Sequence, residues 1–208
     1  MLKPRIAVLV SGGGTNLQAL IDAQAYGRLK SGELAVVIAS KPGVYALERA
    51  KAAAIATETV ERAAFVTQEA YEAQLLDVLT AYKIDLIVLA GFMHILSASF
   101  VSRYPERIVN VHPSLIPAYS GKGYYGIKVH EAVLAAGETE TGATVHMVNE
   151  VPDGGRILMQ QRVPVFHSDT PKTLQHRVME QAEWVLLPRA VEQICVNLIS
   201  QQMPEENG

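Results

Sequence analysis

Short apolar runs alternate with segments of helical periodicity along most of the chain. The runs are rich in β-branched residues, as in strands buried inside a parallel sheet, and they span 5–10, 34–39, 86–89 and 108–111. The segments that follow them carry apolar residues at helical spacing, and they span about 17–25, 45–54, 67–82 and 97–104. This alternation predicts βαβ units and an α/β fold, with a doubly wound, mostly parallel sheet flanked by helices.

The second half of the chain continues the alternation and ends in a longer helix. A helix is predicted at 129–136, strands at 143–148 and 157–163, and a last helix at 171–195, which Pro188 should kink or divide. No repeat, low-complexity stretch or interdomain linker separates these elements. Residues 1–208 are therefore predicted to form a single domain, with 201–208 as a frayed tail.

Composition is typical of a compact protein that acts on small molecules. Hydrophobic residues make up 49% and charged residues 19% of the 208 positions, and the net charge of -3 comes without a basic stripe, which argues against nucleic-acid partners. The apolar runs are too short to cross a bilayer, so no membrane partner is expected. One cysteine, Cys195, and no secretory leader favour the cytoplasm. The six histidines lack metal-site spacing, and no metal is expected.

A glycine-rich loop, Ser11–Asn16, follows the first predicted strand and precedes the first helix. Backbone N–H groups and the positive end of the helix dipole bind anions at such a junction, so phosphate is the favoured ligand. The loop lacks the Gly-Lys-Ser/Thr of ATP-binding loops, and Leu17 occupies the third glycine position of the dinucleotide fingerprint. The alternative interpretation is a tight turn that needs glycine, with Thr15 or Asn16 capping the helix.

Two polar residues, Asn110 and His112, lie on one face of a predicted strand that Pro113 ends. They lie at the carboxyl edge of the sheet, where open α/β sheets bind their ligands. An amide beside an imidazole suits acyl transfer, which needs a stabilised oxyanion and a moved proton. Asp153, in a glycine-rich loop, is a candidate to approach the imidazole and raise its pKa.

The alternative is that these three residues are ordinary polar groups, with Asp153 making only an Asx turn. A covalent nucleophile is not indicated in either case. The chain has no G-x-S-x-G motif, and Cys195 lies in an apolar helical segment. Direct transfer is therefore the simpler hypothesis.

Five stretches in fixed order carry a resemblance to a known enzyme family. They are Ser11–Gln18, Leu89–Met93, Asn110–Pro117, Thr141–His146 and Asp153–Gly155. Together they resemble the glycinamide ribonucleotide formyltransferases, from about Ile6 to Pro188, nearly the whole chain. The resemblance implies a Rossmann-like formyltransferase fold. It also implies transfer of a formyl group from the co-substrate 10-formyltetrahydrofolate to the amine of a phosphoribosyl glycinamide during purine synthesis.

The resemblance further implies a role for each matching residue. It implies a ribonucleotide-binding site formed by Gly14, Thr15, Asn16 and Glu183. It also implies a folate-binding site formed by Gln68, Met93, His94, Ile95, Leu96 and Asn110. On the family pattern Asn110 holds the formyl oxygen, His112 acts as a protonated general acid and oxyanion partner, and Asp153 orients and supports His112. The amine would attack the formyl carbon directly, through a tetrahedral intermediate whose collapse releases tetrahydrofolate.

The chain departs from the family pattern at several positions. Gln68 and His94 stand where the family often has arginine, Trp184 follows Glu183 in place of histidine, and 121–128 is longer than usual. Other functions share parts of this pattern. A formyltetrahydrofolate hydrolase or an aminoacyl-tRNA formyltransferase shares the trio but is expected to need a further domain. A non-catalytic phosphate-binding module needs the glycine loop alone. The sequence is compatible with a monomer or a homodimer.

Overall fold

The computed structural model describes residues 3–201, in which seven strands form one sheet. The strands are β1 (Arg5–Val10), β2 (Glu33–Ala39), β3 (Ala56–Thr59), β4 (Leu86–Leu89), β5 (Ile108–His112), β6 (Glu140–Met147) and β7 (Ile157–Pro164). The helices are α1 (Thr15–Ala25), α2 (Tyr45–Ala52), α3 (Gln68–Ala81), α4 (Ala98–Val101), α5 (Ile127–Ala135), α6 (Pro171–Val178) and α7 (Trp184–Gln201). A 3-10 turn lies at Arg62–Ala64.

The strand order is β3-β2-β1-β4-β5-β6-β7. Every neighbouring pair from β3 to β5 is parallel, whereas β6 pairs antiparallel with both β5 and β7. The prediction of a doubly wound, mostly parallel α/β sheet is therefore confirmed. Because the chain winds outward in one direction from β1 and in the other from β4, a crevice is expected where these two strands lie side by side.

Helices cover both faces of the sheet, and the alternating side chains of β1 show why. Ile6 and Val8 pack in one core with residues of α1, α5, α6 and α7. Ala7 and Leu9 point the other way, into a second core built on Tyr71 of α3 and Phe100 of α4. All four β1 side chains are fully buried. A strand that is apolar on both faces is the expected signature of a sheet sandwiched between helix layers.

The long C-terminal helix is divided, but not at the proline. α6 ends at Val178, a π-helical turn spans Met179–Glu183, and α7 then runs through Pro188 to Gln201. Pro188 falls just after the first turn of α7, where its missing N–H leaves only the carbonyl of Trp184 without its usual partner. Gln201 is the last described residue and is helical, and residues 202–208 of the predicted tail lie outside the described part.

Thr67 caps α3 by accepting a 3.2 Å hydrogen bond from the Ala70 amide. The buried residues of α3 include Tyr71, Leu75 and Leu79, which form an apolar face toward the sheet. Within 3–201, no helix is long and apolar enough to cross a membrane.

Candidate active site

A cavity of about 760 Å³ opens at the carboxyl edge of the sheet, where β1 and β4 lie side by side. Four loops, the ends of β5 and β6, and α6 with the π turn contribute to its wall. The wall residues include 12–16, 89–96, 110–113, 121–126, 148–149, 151–153, Gln175, Met179 and Glu183. The predicted catalytic, ribonucleotide and folate residues thus meet on one cavity, with the exception of Gln68.

Gly14 gives the glycine loop its shape. Its φ of 74° is left-handed, and a Cβ atom on this residue would lie only 2.7 Å from the Cβ of Ala46. Gly14 is the N-cap of α1, and no side chain caps this helix. The alternative in which Thr15 or Asn16 caps the helix therefore does not hold. Gly14, Thr15 and Asn16 line the cavity, so the N-terminus of α1 lies at its wall, as an anion site at a helix start requires.

Asn16 makes a buried contact with the far end of the chain. Its Nδ2 donates a 2.6 Å hydrogen bond to Oε2 of Glu183, and the two residues are 8% and 6% exposed. Burial raises the pKa of Glu183 to about 7, against the lowering effect of the Asn16 hydrogen bond. Glu183 is the last residue of the π turn, so the extra backbone of that turn places its carboxyl group beside the glycine loop.

The three predicted catalytic residues converge. Oδ2 of Asp153 lies 3.4 Å from Nδ1 of His112, and Oδ1 of Asp153 lies 3.5 Å from Nδ2 of Asn110. Nε2 of His112 bonds to the carbonyl of Tyr119 at 2.8 Å, and the Gly121 amide donates to Oδ2 of Asp153 at 2.9 Å. Asp153 itself is held at a left-handed φ of 55°, a conformation that aspartate tolerates better than most residues.

His146 is a fourth member of this cluster, and its role was not predicted. It is the register partner of Asn110 across β5 and β6. Its Nδ1 donates to the carbonyl of Met147 at 2.8 Å, so its Nε2 accepts from Nδ2 of Asn110 at 3.1 Å. His146 thereby fixes the rotation of the Asn110 amide. Strand pairing is the signal that reveals it, because an antiparallel β6 brings the two residues opposite each other.

The charges of the cluster follow from its burial. Burial lowers the pKa of His112 and outweighs the opposite effects of the Asp153 carboxylate and the Tyr119 carbonyl, with His146 lowering it further. Asp153 does raise this pKa, as expected, but not enough to reverse the direction. Burial favours a raised pKa for Asp153, yet the neighbouring rings of His146 and His112 and the hydrogen bond from the Gly121 amide together lower it. The resting pair is therefore an ionised Asp153 and a neutral His112.

Hydrogen bonds with Ser11, Gln68 and Glu72 hold the cavity-lining segment 93–96 and its neighbour Ser97 in place. Ser11 Oγ accepts from the Met93 amide at 3.0 Å. Glu72 accepts from the Ser97 amide at 2.7 Å and from the side chain of Gln68 at 2.8 Å. Gln68 Nε2 also donates to the carbonyl of Ile95 at 3.1 Å. Gln68 thus lies behind the cavity wall and supports the segment, and its contact with folate stays a prediction.

His94 lines the cavity where the family often has arginine. Its ring lies edge-on to those of Tyr71 and Phe92, at centroid distances of 5.9 and 5.4 Å. Burial lowers the pKa of His94, and the nearby charges of Arg62 and Lys41 add to this effect. His94 therefore presents a neutral ring, packed against two aromatic rings, at a position where arginine would present a fixed positive charge.

His130 lies on α5 close to this cluster and is completely buried. Neither of its ring nitrogens has a hydrogen-bond partner within the described residues. Burial, together with the charge of His112, lowers the pKa of His130 to about 4. It is thus a neutral buried histidine, and no sequence motif marks it. No group of three or more potential metal ligands is assembled within residues 3–201.

Comparisons with known proteins agree with this geometry. A family model described as formyl transferase matches residues 4–191. The chain is 43% identical to phosphoribosylglycinamide formyltransferase of Escherichia coli (strain K12), over 85% of this chain and 80% of that protein. It is also 43% identical to the trifunctional purine biosynthetic protein adenosine-3 of Drosophila melanogaster, of which it spans 14%. The crystal structure of glycinamide ribonucleotide transformylase 1 from Symbiobacterium toebii matches 94% of this chain and 89% of its own, with a TM-score of 0.87 and 37% identity.

Proposed function

Because the chain belongs to the formyl transferase family, we propose that it transfers the formyl group of 10-formyltetrahydrofolate to the amine of 5-phosphoribosyl glycinamide in purine synthesis. The family resemblance in the sequence is confirmed by these matches. The observation that carries the specific reaction is the convergence of Asn110, His112 and Asp153 on a cavity that also contains the glycine loop. A site of this kind can hold a phosphate at one end and perform carbonyl chemistry in the middle.

The ribonucleotide end is formed by the glycine loop and Glu183. The N–H groups at the start of α1 suit the phosphate, and Asn16 and Glu183 present an amide and a carboxyl group beside it. We assign the ribose or glycinamide part of the substrate to Glu183. A carboxyl group there can accept hydrogen bonds from hydroxyl and amine groups, and its burial keeps competing water away.

The folate end is formed by the clamped segment 93–96 and the opposite loop at 148–153. Met93, Ile95 and Val151 are about half-exposed, although all three line the cavity. Exposed apolar side chains around a cleft are suited to cover a flat heteroaromatic ring. Backbone groups of the same segment supply the polar contacts that orient such a ring, while Gln68 holds the segment in place.

The reaction requires one proton to move while the formyl group is transferred from the folate to the substrate amine. As the substrate amine forms its bond to the formyl carbon, negative charge develops on the formyl oxygen, and Asn110 is placed to donate to it. Nε2 of neutral His112 carries the hydrogen that bonds to the Tyr119 carbonyl, so Nδ1 is the ring nitrogen that accepts the proton lost by the amine. Asp153, beside Nδ1, stabilises the resulting imidazolium. His112 then returns this proton to the folate nitrogen as the carbon–nitrogen bond to folate breaks. His112 therefore acts as the general acid after it has first acted as a base.

The remaining expectations are consistent with this assignment. The single seven-stranded sheet supports a single domain, and the proposed partners are the two small-molecule substrates. Cytoplasmic localisation, a metal-free reaction and a monomeric or homodimeric state stay predictions. A non-catalytic phosphate-binding module would have no use for the Asn110, His112, His146 and Asp153 cluster, which is built from three separate chain segments.

The test is a spectrophotometric assay of the purified protein with 10-formyltetrahydrofolate, with and without glycinamide ribonucleotide. Tetrahydrofolate is expected only when the ribonucleotide is present. Product in its absence would instead establish a hydrolase. A lack of product under both conditions, in protein that still binds the ribonucleotide, would favour the binding module.

A further inference from the structure

Residues 121–126, here called the triglycine loop, join the catalytic cluster to α5. Gly121, Gly123 and Gly126 have φ values of 84°, 99° and 53°, a region that other residues rarely adopt. The loop is anchored at its start, because Gly121 donates to Asp153 and the carbonyl of Tyr119 bonds to His112. The backbone on either side of Lys122 is therefore defined by glycine conformations and by a hydrogen bond to a catalytic carboxylate.

Lys122 is the one lysine or arginine among the residues that line the described cavity. The two carboxyl groups on the same wall belong to Asp153 and Glu183. Within residues 3–201, no carboxylate pairs with the Lys122 ammonium group. The cavity thus holds a free cation on a wall that is otherwise neutral or acidic, and a phosphate dianion entering it has no other side-chain cation to meet.

We infer that this lysine lies toward the ribonucleotide end from the elements that follow it in the chain. The triglycine loop leads directly into α5, and α5 packs against α6. α6 contributes Gln175 to the cavity wall and continues into the π turn that carries Glu183, which in turn bonds to Asn16 of the glycine loop. Arg49 also approaches the glycine loop, but its guanidinium group is bonded to the carbonyl of Gly13 and to Gln18, and it does not line the cavity.

We propose that Lys122 is the side-chain cation that binds the substrate phosphate, opposite the backbone N–H groups of the glycine loop. This proposal rests on the proposed function. It assigns the phosphate two kinds of contact: fixed dipoles from α1 and one mobile charge from the triglycine loop. Since Gly121 is bonded to Asp153, phosphate binding by the next residue also holds the loop in the conformation that supports the catalytic pair.

The experiment compares Lys122→Met with wild type on glycinamide ribonucleotide and on the same glycinamide riboside without its phosphate. For the ribonucleotide, kcat/KM is expected to fall by about ten- to a hundredfold, the usual range for a hydrogen bond to a charged group. For the riboside, both proteins should give the same kcat/KM, and KM for 10-formyltetrahydrofolate should not change. Lys122→Arg should restore part of the loss.

Lys128→Met serves as the control, because this lysine, in the first turn of α5, does not itself line the cavity; its ammonium group bonds to the hydroxyl of Tyr125. Its kinetics should resemble those of wild type. Equal losses on both substrates, or no loss on either, would overturn the proposal. Calorimetric titration of glycinamide ribonucleotide into wild type and Lys122→Met separates this failure from that of the proposed function, since a difference in Kd does not depend on turnover.

Discussion

The side-chain amide of Asn16 and the carboxyl group of Glu183 are joined by a 2.6 Å hydrogen bond across 167 residues of sequence. The contact links the first loop of the sheet to the turn between the last two helices. It also holds a buried carboxyl group beside the glycine loop, where the substrate phosphate is expected to bind. The ionisation of Glu183 should therefore affect both the stability of the protein and its affinity for the ribonucleotide.

Glu183→Gln is expected to stabilise the protein at alkaline pH and to weaken substrate binding. The pKa of Glu183 is raised from 4.5 to about 7, so its unfavourable ionisation in the folded state develops as pH rises through this window. Gln keeps an acceptor for Asn16 and does not ionise. The free energy of unfolding should rise by on the order of 3 kcal/mol at about pH 8 and change little at about pH 4, as measured by urea denaturation. An equal gain at both pH values would contradict the assignment to ionisation.

His130→Leu is expected to remove a loss of stability at acid pH. The pKa of His130 is lowered from 6.5 to about 4, so the unfolded chain binds a proton between these values that the folded protein does not. Stability from this group is present above the unfolded pKa and is lost as pH falls through the window. Between about pH 7 and pH 5 the wild-type protein should lose on the order of 2 kcal/mol more than the variant. A parallel pH dependence for the two proteins would show that His130 does not titrate in this way.

His112→Ala is expected to reduce turnover about a hundredfold or more while the fold is retained. The physical reason is that the imidazole carries the proton between the amine and the folate nitrogen, a role confined to the reaction itself. Turnover is measured with saturating substrates, and the thermal unfolding midpoint serves as the control for folding. Turnover close to that of wild type would remove His112 from the mechanism.

Asp153→Asn is expected to move the acid limb of the pH–rate profile to lower pH and to reduce the maximal rate. The Asp153 carboxylate raises the pKa of His112, and its removal leaves burial to lower that pKa further. The proposed mechanism begins with neutral His112, so kcat/KM falls as pH decreases through the pKa of this histidine. The measurement is kcat/KM against pH for both proteins, and coincident acid limbs would argue against coupling between Asp153 and His112.

Much of the fold follows from local pattern, and the exceptions have physical reasons. The strands at the centre of the sheet are apolar on both faces, so their sequence alone reveals them. β3 was not predicted, because its sequence Ala-Thr-Glu-Thr has no apolar run. The π turn was not predicted either, since its residues keep helical periodicity and differ only in how the backbone hydrogen bonds close.

The site shows the same division between local and long-range information. Asn110 and His112 share a strand, and spacing was sufficient to place them on one face. The positions of His146 and Glu183 in the site result from contacts between distant segments, and residue spacing does not reveal such contacts. The lowered pKa of His112 also escaped prediction, because the residues named in the sequence indicated the effect of Asp153 but not the amount of burial.

The two outer strands of the sheet bear on how copies of this protein behave at high concentration. An exposed strand edge offers free backbone groups to a neighbour and is a common start of aggregation. β3 is only four residues long and contains Glu58, while β7 carries Arg162 and ends in Pro164. A short charged edge on one side and a charged, proline-terminated edge on the other both discourage strand addition. The same polar residues that prevented the prediction of β3 thus also protect that edge against strand addition.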